Sequence, residues 1–202
     1  MTSNAFGIGL RRLGETDDFS SFDSGDPDLN DFIRNDALRL ERCDVTRVYI
    51  AVAGTEPAGY IAVLTDTLIL KPNERKRLEM RFNDPKSVPA VKIGRLAVDQ
   101  RYHRMGVGQA LMRHAFLVAV STRSLLGCRL LTVDAYPASE SFYTRLGFER
   151  NKHAPKQEVC LVCSKPINQC PHCSAAFGES EERTISMRFN LKADPLPSWA
   201  AI

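Results

Sequence analysis

The run Ile93-Gly94-Arg95-Leu96-Ala97-Val98, followed by Tyr102-His103-Arg104-Met105-Gly106-Val107-Gly108-Gln109, constrains this chain more than any other segment. A β-rich stretch leads into two glycines spaced by one residue, and Val107, Leu111, Ala115 and Val118 then recur at helical spacing. The order is therefore strand, tight turn, helix. Glycine lets the backbone approach a ligand closely, and the unpaired N–H groups and dipole of a helix N-terminus favour phosphate oxygens. A pyrophosphate fits there, with Arg104 and His103 adding side-chain charge. Gly-x-Gly alone also describes a ligand-free turn. A Rossmann dinucleotide site fits poorly, because no third glycine follows at Met112 or nearby.

The rest of the chain alternates strands and helices. Asp26 and Pro27 precede Leu29, Phe32, Ile33, Ala37 and Leu40, so an N-cap, a first-turn proline and an apolar stripe predict a helix from Pro27 to Arg42. Val48 to Ala53 and Gly59 to Leu64 read as two antiparallel strands joined through Gly54-Thr55-Glu56-Pro57. Val91 to Val98 and Leu130 to Ala135 are further strands; between them lies the helix that Gly106 opens. Phe142, Tyr143 and Leu146 mark a helix that Gly147 stops. Ile185, Met187 and Phe189 alternate with Ser186 and Arg188 as in a half-buried strand, and the tail after Lys192, with Pro195 and Pro197, reads as loose. Lys71 to Lys86 is rich in charge. It reads either as a solvated helix or loop, or as a rim meeting a charged substrate.

With 202 residues, 44% apolar and 25% charged, the chain suits one well-buried domain with a small appendage. A net charge of +3 tolerates a polyanionic partner without demanding one. Met1 to Gly14 lacks the pattern of a secretory signal and no stretch has the length of a membrane span, so the expected location is cytoplasmic, with no membrane partner.

The run Ile93 to Tyr102, the glycine turn after it and the later Ala138-Ser139-Glu140-Ser141-Phe142-Tyr143-Thr144-Arg145-Leu146-Gly147-Phe148 closely resemble the GCN5-related N-acetyltransferases (GNAT). Their phosphate motif is Gln or Arg, two residues, Gly, one residue, then Gly or Ala. Here the first position falls on His103, a departure, with Arg104 one place later. The resemblance implies an α/β (α+β) GNAT fold, a mixed central sheet of about six to seven strands flanked by helices. It spans Phe6 to Phe148 and the last strand, giving an acetyltransferase domain over 1–192 and a flexible tail over 193–202. Phe22-Asp23-Ser24-Gly25, Leu29-Asn30-Asp31-Phe32 and Arg95 to Asp99 resemble the branch that contains bacterial toxins acetylating aminoacyl-tRNA.

The resemblance also implies a chemistry. Backbone groups of Leu96, Ala97 and Val98 would hold the pantetheine arm of acetyl-CoA, and His103, Arg104, Met105, Gly106, Val107, Gly108 and Gln109 its pyrophosphate. An amine would attack the thioester directly, and Tyr143 would protonate the departing thiolate as general acid; as a residue alone, Tyr143 reads as core beside Phe142 rather than as a catalytic group. A lysine amine is roughly 0.1% neutral near pH 7.4, whereas an α-amine is about a third neutral and needs little base catalysis. Asp66, Glu79 and Asp134 are candidate bases and none stands out, which favours an α-amine acceptor such as the aminoacyl end of charged tRNA. Arg34, Arg39, Arg42, Arg75, Lys76 and Arg77 are candidate RNA contacts. An antitoxin and a second copy of the chain are further candidate partners.

Cys160, Cys163, Cys170 and Cys173 form two Cys-x-x-Cys pairs within an insertion over 158–176. Such spacing aims four thiolates at one tetrahedral ion, so a structural zinc stapling the C-terminal hairpin is expected. Disulfides, free thiols, or His172 as substitute ligand remain open alternatives, while Cys43 and Cys128 read as buried or idle. The contrasting functional class is a non-catalytic CoA-binding module, or a zinc knuckle that binds nucleic acid or protein.

Overall fold

The computed structural model describes residues 7–151, 184–192 and 196–200. The zinc expectation at Cys160, Cys163, Cys170 and Cys173 lies outside the described residues. A seven-stranded mixed sheet forms the centre, in the order β1-β2-β3-β4-β5-β7-β6. Its strands are β1 (Ile8–Arg12), β2 (Arg47–Ala53), β3 (Glu56–Ile69), β4 (Ser87–Val98), β5 (Leu130–Ala135), β6 (Glu149–Arg150) and β7 (Ile185–Asn190). Every neighbouring pair is antiparallel except β4 with β5. The expected mixed fold is present.

Strand alternation sends successive side chains to opposite faces, and each face has its own helical cover. On one face Ile61 of β3, Ile93 of β4 and Leu131 and Val133 of β5 pack against Leu111, Met112, Ala115 and Phe116 of helix α4 (Val107–Leu126). On the other, Val48, Ile50, Tyr60 and Ala62 pack against Phe22, Ile33 and Ala37. The helix from Pro27 forms in three pieces: α1 (Pro27–Asp31), a π-helical turn at Phe32–Asp36, and α2 (Ala37–Arg42). As expected, Asp26 caps it, accepting from the Asp28 and Leu29 amides. The π turn carries no signature that periodicity could reveal.

The charged segment is the main correction. It folds as α3 (Pro72–Arg77), in which Glu74 is 1% and Arg75 7% exposed, so neither a solvated segment nor a substrate rim describes these two residues. Arg188 of β7 donates to Glu74 at 2.7 Å and to Asn151 at 2.6 Å, while Arg75 donates to the carbonyls of Arg81 and Asp84. Burial is tolerated because each charge is met by partners. Nor is the described part of the tail loose. Ser198–Ala200 forms a short 3-10 turn that buries Trp199, whose indole N–H donates to the Leu146 carbonyl at 2.9 Å. Helix α5 (Glu140–Arg145) ends immediately before Leu146. Cys128 is buried and Cys43 exposed. No helix among the described residues is long and apolar enough to cross a membrane.

Candidate active site

The site is made by a strand that leaves its neighbour. β4 pairs with β5 only over Ala90–Ile93, opposite Leu130–Val133, and the parallel ladder stops there. Directly beyond, the β3 register shifts so that Ala62 faces Arg95 while Val63 faces Ile93, which makes Gly94 a one-residue bulge. A bulge inverts the alternation that follows it. Arg95 and Ala97 therefore face α1 and the π turn, while Leu96 and Val98 pack towards α4.

Helix α4 starts where this strand aims. Gly106 is its N-cap with φ of 84°, a left-handed conformation that a β-carbon disfavours, and no side chain caps the first amides. A methyl group added at Gly108 would meet Phe142 no closer than 3.6 Å, so close packing within the protein does not explain the glycine there. His103 closes the turn. Its Nε2–H donates to the Val98 carbonyl at 2.9 Å.

A cavity of about 860 Å³ opens between this turn and α5. Leu96, Ala97, Val98, His103, Arg104, Gly106, Val107, Gly108 and Gln109 all line it; of the ten residues expected to hold a coenzyme, Met105 alone does not, and it is half exposed. Tyr143, Ser198 and Trp199 form part of the far wall. A second cavity of about 580 Å³ lies towards the π turn, lined by Leu29, Phe32, Leu40, Arg95, Asp134 and others. Leu29, Leu96, Tyr136, Ser139 and Tyr143 border both cavities. The two spaces thus meet at the splayed strand.

Tyr143 occupies the core position read for it and also borders both cavities. It is buried, with edge contacts to Phe142 and Phe148, and it reaches the junction. Burial pushes its phenol well above the ordinary value, so it stays protonated across the neutral range. Of the candidate bases, Asp134 lines the smaller cavity, held by Lys92 at 2.6 Å. Asp66 accepts from Thr132 at 2.7 Å, and neither it nor Glu79 lines either cavity.

Asp99 is a positioning residue that the spacing of motifs does not reveal. It is 1% exposed and accepts from the Asp23 amide at 3.1 Å and from the Arg101 backbone and guanidinium at 2.9 Å. Burial pushes its carboxyl up, but the donors from Arg101 and Asp23 outweigh it and hold the group below the usual carboxylate value. Gln100 donates to Asp23 through both its amide and side chain. The loop Phe22 to Gly25 is thereby tied to the end of β4, which places Ser24 and Asp26 on the rim of the larger cavity.

A model of the acetyltransferase (GNAT) domain matches residues 44–150, more than half of the chain. The chain belongs to the GNAT family. It is an acetyl-CoA-dependent N-acetyltransferase, and the non-catalytic alternative falls. A tRNA-acetylating toxin of Mycobacterium tuberculosis (strain ATCC 25618 / H37Rv) is 29% identical over 153 residues, covering 75% of this GNAT chain and 90% of the relative. Among solved structures, a tyrosine-to-phenylalanine mutant of KacT superposes with a TM-score of 0.69 at 20% identity, over 92% of this chain and 95% of that one. AtaT complexed with acetyl-methionyl-tRNAfMet gives 0.68 at 23%, with 92% and 95% covered. AtaTR bound with AcCoA gives 0.61 at 25%, with 92% and 94% covered.

Proposed function

We propose that this enzyme holds acetyl-CoA in the larger cavity and transfers its acetyl group to the α-amine of an aminoacyl-tRNA presented through the smaller one. The observation that carries this reading is the meeting of the two cavities at Leu96 and Tyr143. The uncapped amides of Val107 and Gly108, with Arg104, suit a pyrophosphate, and the strand end from Leu96 to Val98, past its last pairing with β5, suits the amides of a pantetheine arm. The neutral amine attacks the thioester carbon, a C–N bond forms, the C–S bond breaks and the amine sheds a proton to solvent. Tyr143 gives its phenolic proton to the leaving thiolate and regains one from water. Asp134, the one candidate base that lines a cavity, is engaged with Lys92, and an α-amine acceptor, already partly neutral, asks for little base catalysis.

The relatives support the acceptor class, since one is named for tRNA acetylation and another is complexed with an acetylated aminoacyl-tRNA. The test is transfer of labelled acetyl to total charged tRNA, compared with peptides and polyamines. Acetylation of charged tRNA is expected; acetylation confined to the small amines would refute the acceptor. Tyr143→Phe is expected to lose turnover while binding acetyl-CoA, and full turnover would remove its role as general acid.

AtaT is also known bound to the C-terminus of the antitoxin AtaR, so we extend the reading to a cytoplasmic toxin with a small antitoxin partner. Co-purification with the product of an adjacent gene tests that extension, and light scattering tests the proposed homodimer. Among the described residues no group of three or more His, Cys, Asp or Glu is placed to hold a metal. The zinc staple at the two Cys-x-x-Cys pairs rests on sequence alone. Less than about a tenth of an equivalent of zinc in protein purified without chelator would defeat it.

A further inference from the structure

None of the basic residues that look most available for RNA in the sequence lines either cavity. Arg34 donates to the carbonyls of Phe19 and Phe22, and Arg75 to those of Arg81 and Asp84. Arg39 pairs with Asp36, Arg42 with Glu15 and Arg77 with Glu149. Arg95 differs from all of these. It lines the smaller cavity one residue before Leu96, which borders both cavities, and the Gly94 bulge is what turns it to that side.

Its surroundings hold the guanidinium in place while leaving hydrogen-bonding capacity unused. The group lies over the Phe32 ring at 5.6 Å, Phe32 stacks on Tyr60 at 5.9 Å, and the Tyr60 hydroxyl donates to the Leu29 carbonyl at 2.7 Å. Such a stack fixes a flexible side chain in advance of binding. Arg95 Nη1 donates to the Gly94 carbonyl at 3.2 Å, and Nη2 makes a 3.4 Å contact with the exposed Asp28. Among the described residues the buried Nε–H has no partner. An exposed single-contact pair is weak and readily exchanged.

We infer that Arg95 is a phosphate clamp for the acceptor, gripping the phosphodiester on the 5′ side of the terminal nucleoside of a charged RNA. This rests on the acceptor proposed above. The carboxyl group of an aminoacyl ester carries no charge, so the first anion beyond the reacting amine is that phosphate. A planar guanidinium with in-plane donors to spare matches its oxygens. The acidic neighbours in the cavity are already engaged, Asp134 by Lys92 and Asp36 by Arg39.

The test uses the full-length enzyme and an aminonucleoside bearing an amino acid in amide linkage at the 3′ position of adenosine, offered with a free 5′-hydroxyl or as the 5′-monophosphate. For the unaltered enzyme, kcat/KM is expected to favour the phosphorylated form on the order of ten- to a hundredfold. Arg95→Gln should bring that ratio close to one, and Arg95→Lys should retain part of it. Acetyl-CoA affinity measured on each variant reports folding, and a general structural defect would depress both substrates without changing their ratio. A ratio near one for the unaltered enzyme, or a ratio that survives Arg95→Gln, overturns the clamp. If neither the nucleosides nor charged tRNA are acetylated while peptides or polyamines are, the acceptor reading falls and takes the clamp with it.

Discussion

Arg188→Met tests the ionic link between α3 and β7. The Arg188 and Glu74 side chains are 6% and 1% exposed, and their contact is 2.7 Å, so both were stripped of water on folding and each relies on the other. Removing the cation leaves a buried carboxylate whose remaining contacts include the Lys71 amide at 3.0 Å. Breaking a buried pair from one side costs about 3–5 kcal/mol. For a chain of this length that lowers Tm by about 6–20 °C. Replacing both members, Glu74→Leu with Arg188→Met, removes the stranded charge and should recover most of the loss, apart from about 1 kcal/mol for the helix cap that Glu74 provides. A double-mutant cycle by urea unfolding measures the coupling. A single-variant loss under about 1 kcal/mol would place the pair among surface pairs and refute the reasoning.

Gly59→Ala should destabilise by about 1–3 kcal/mol, because the new methyl would meet the Ala97 carbonyl at 2.8 Å and Val107 and Leu111 at 3.1 Å. Since those atoms belong to β4 and the first two turns of α4, calorimetry should also show weaker acetyl-CoA binding. Asp99 has a native carboxyl held below its unfolded value, so its stabilisation is present above about pH 4 and is lost as pH falls through the native value. Thermal melts of Asp99→Asn should accordingly lie below the parent at pH 7 and converge with it at more acid pH. His114 is the opposite kind of group: burial lowers its pKa and its Nε2 has no partner among the described residues, so the unfolded chain binds its proton first. Stability should fall as pH drops below about 6.5, and His114→Phe should flatten that slope. Finally, KM for charged tRNA should rise steeply with salt, and a flat response would speak for a small acceptor.

Much of the site was legible because it depends on backbone. The run into Gly106 and Gly108 carries its own turn chemistry, and the strand, turn and helix stand as read. What escaped depends on partners distant in sequence. Glu74 and Arg75 look like surface charge until Arg188, 114 residues away, and the carbonyls after Leu78 are brought beside them. β1 emerges from Ile8–Arg12, which pairs at the sheet edge with a mostly exposed pattern and so leaves little periodicity to detect. The orientation of Arg95 hangs on one extra residue at Gly94, and strand alternation cannot foresee which register a neighbour will choose. Trp199 lies among prolines, yet Phe116, Phe189 and Leu146 offer its indole both an apolar site and an acceptor.

That last contact bears on how the protein should be handled. Trp199 and Ser198 supply part of the wall of the larger cavity, so a version trimmed at Lys192 would lose more than a loose end. It would open the coenzyme's proposed chamber to solvent from one side and uncover Phe116 and Phe189. Affinity handles are therefore better placed ahead of β1 than behind residue 200.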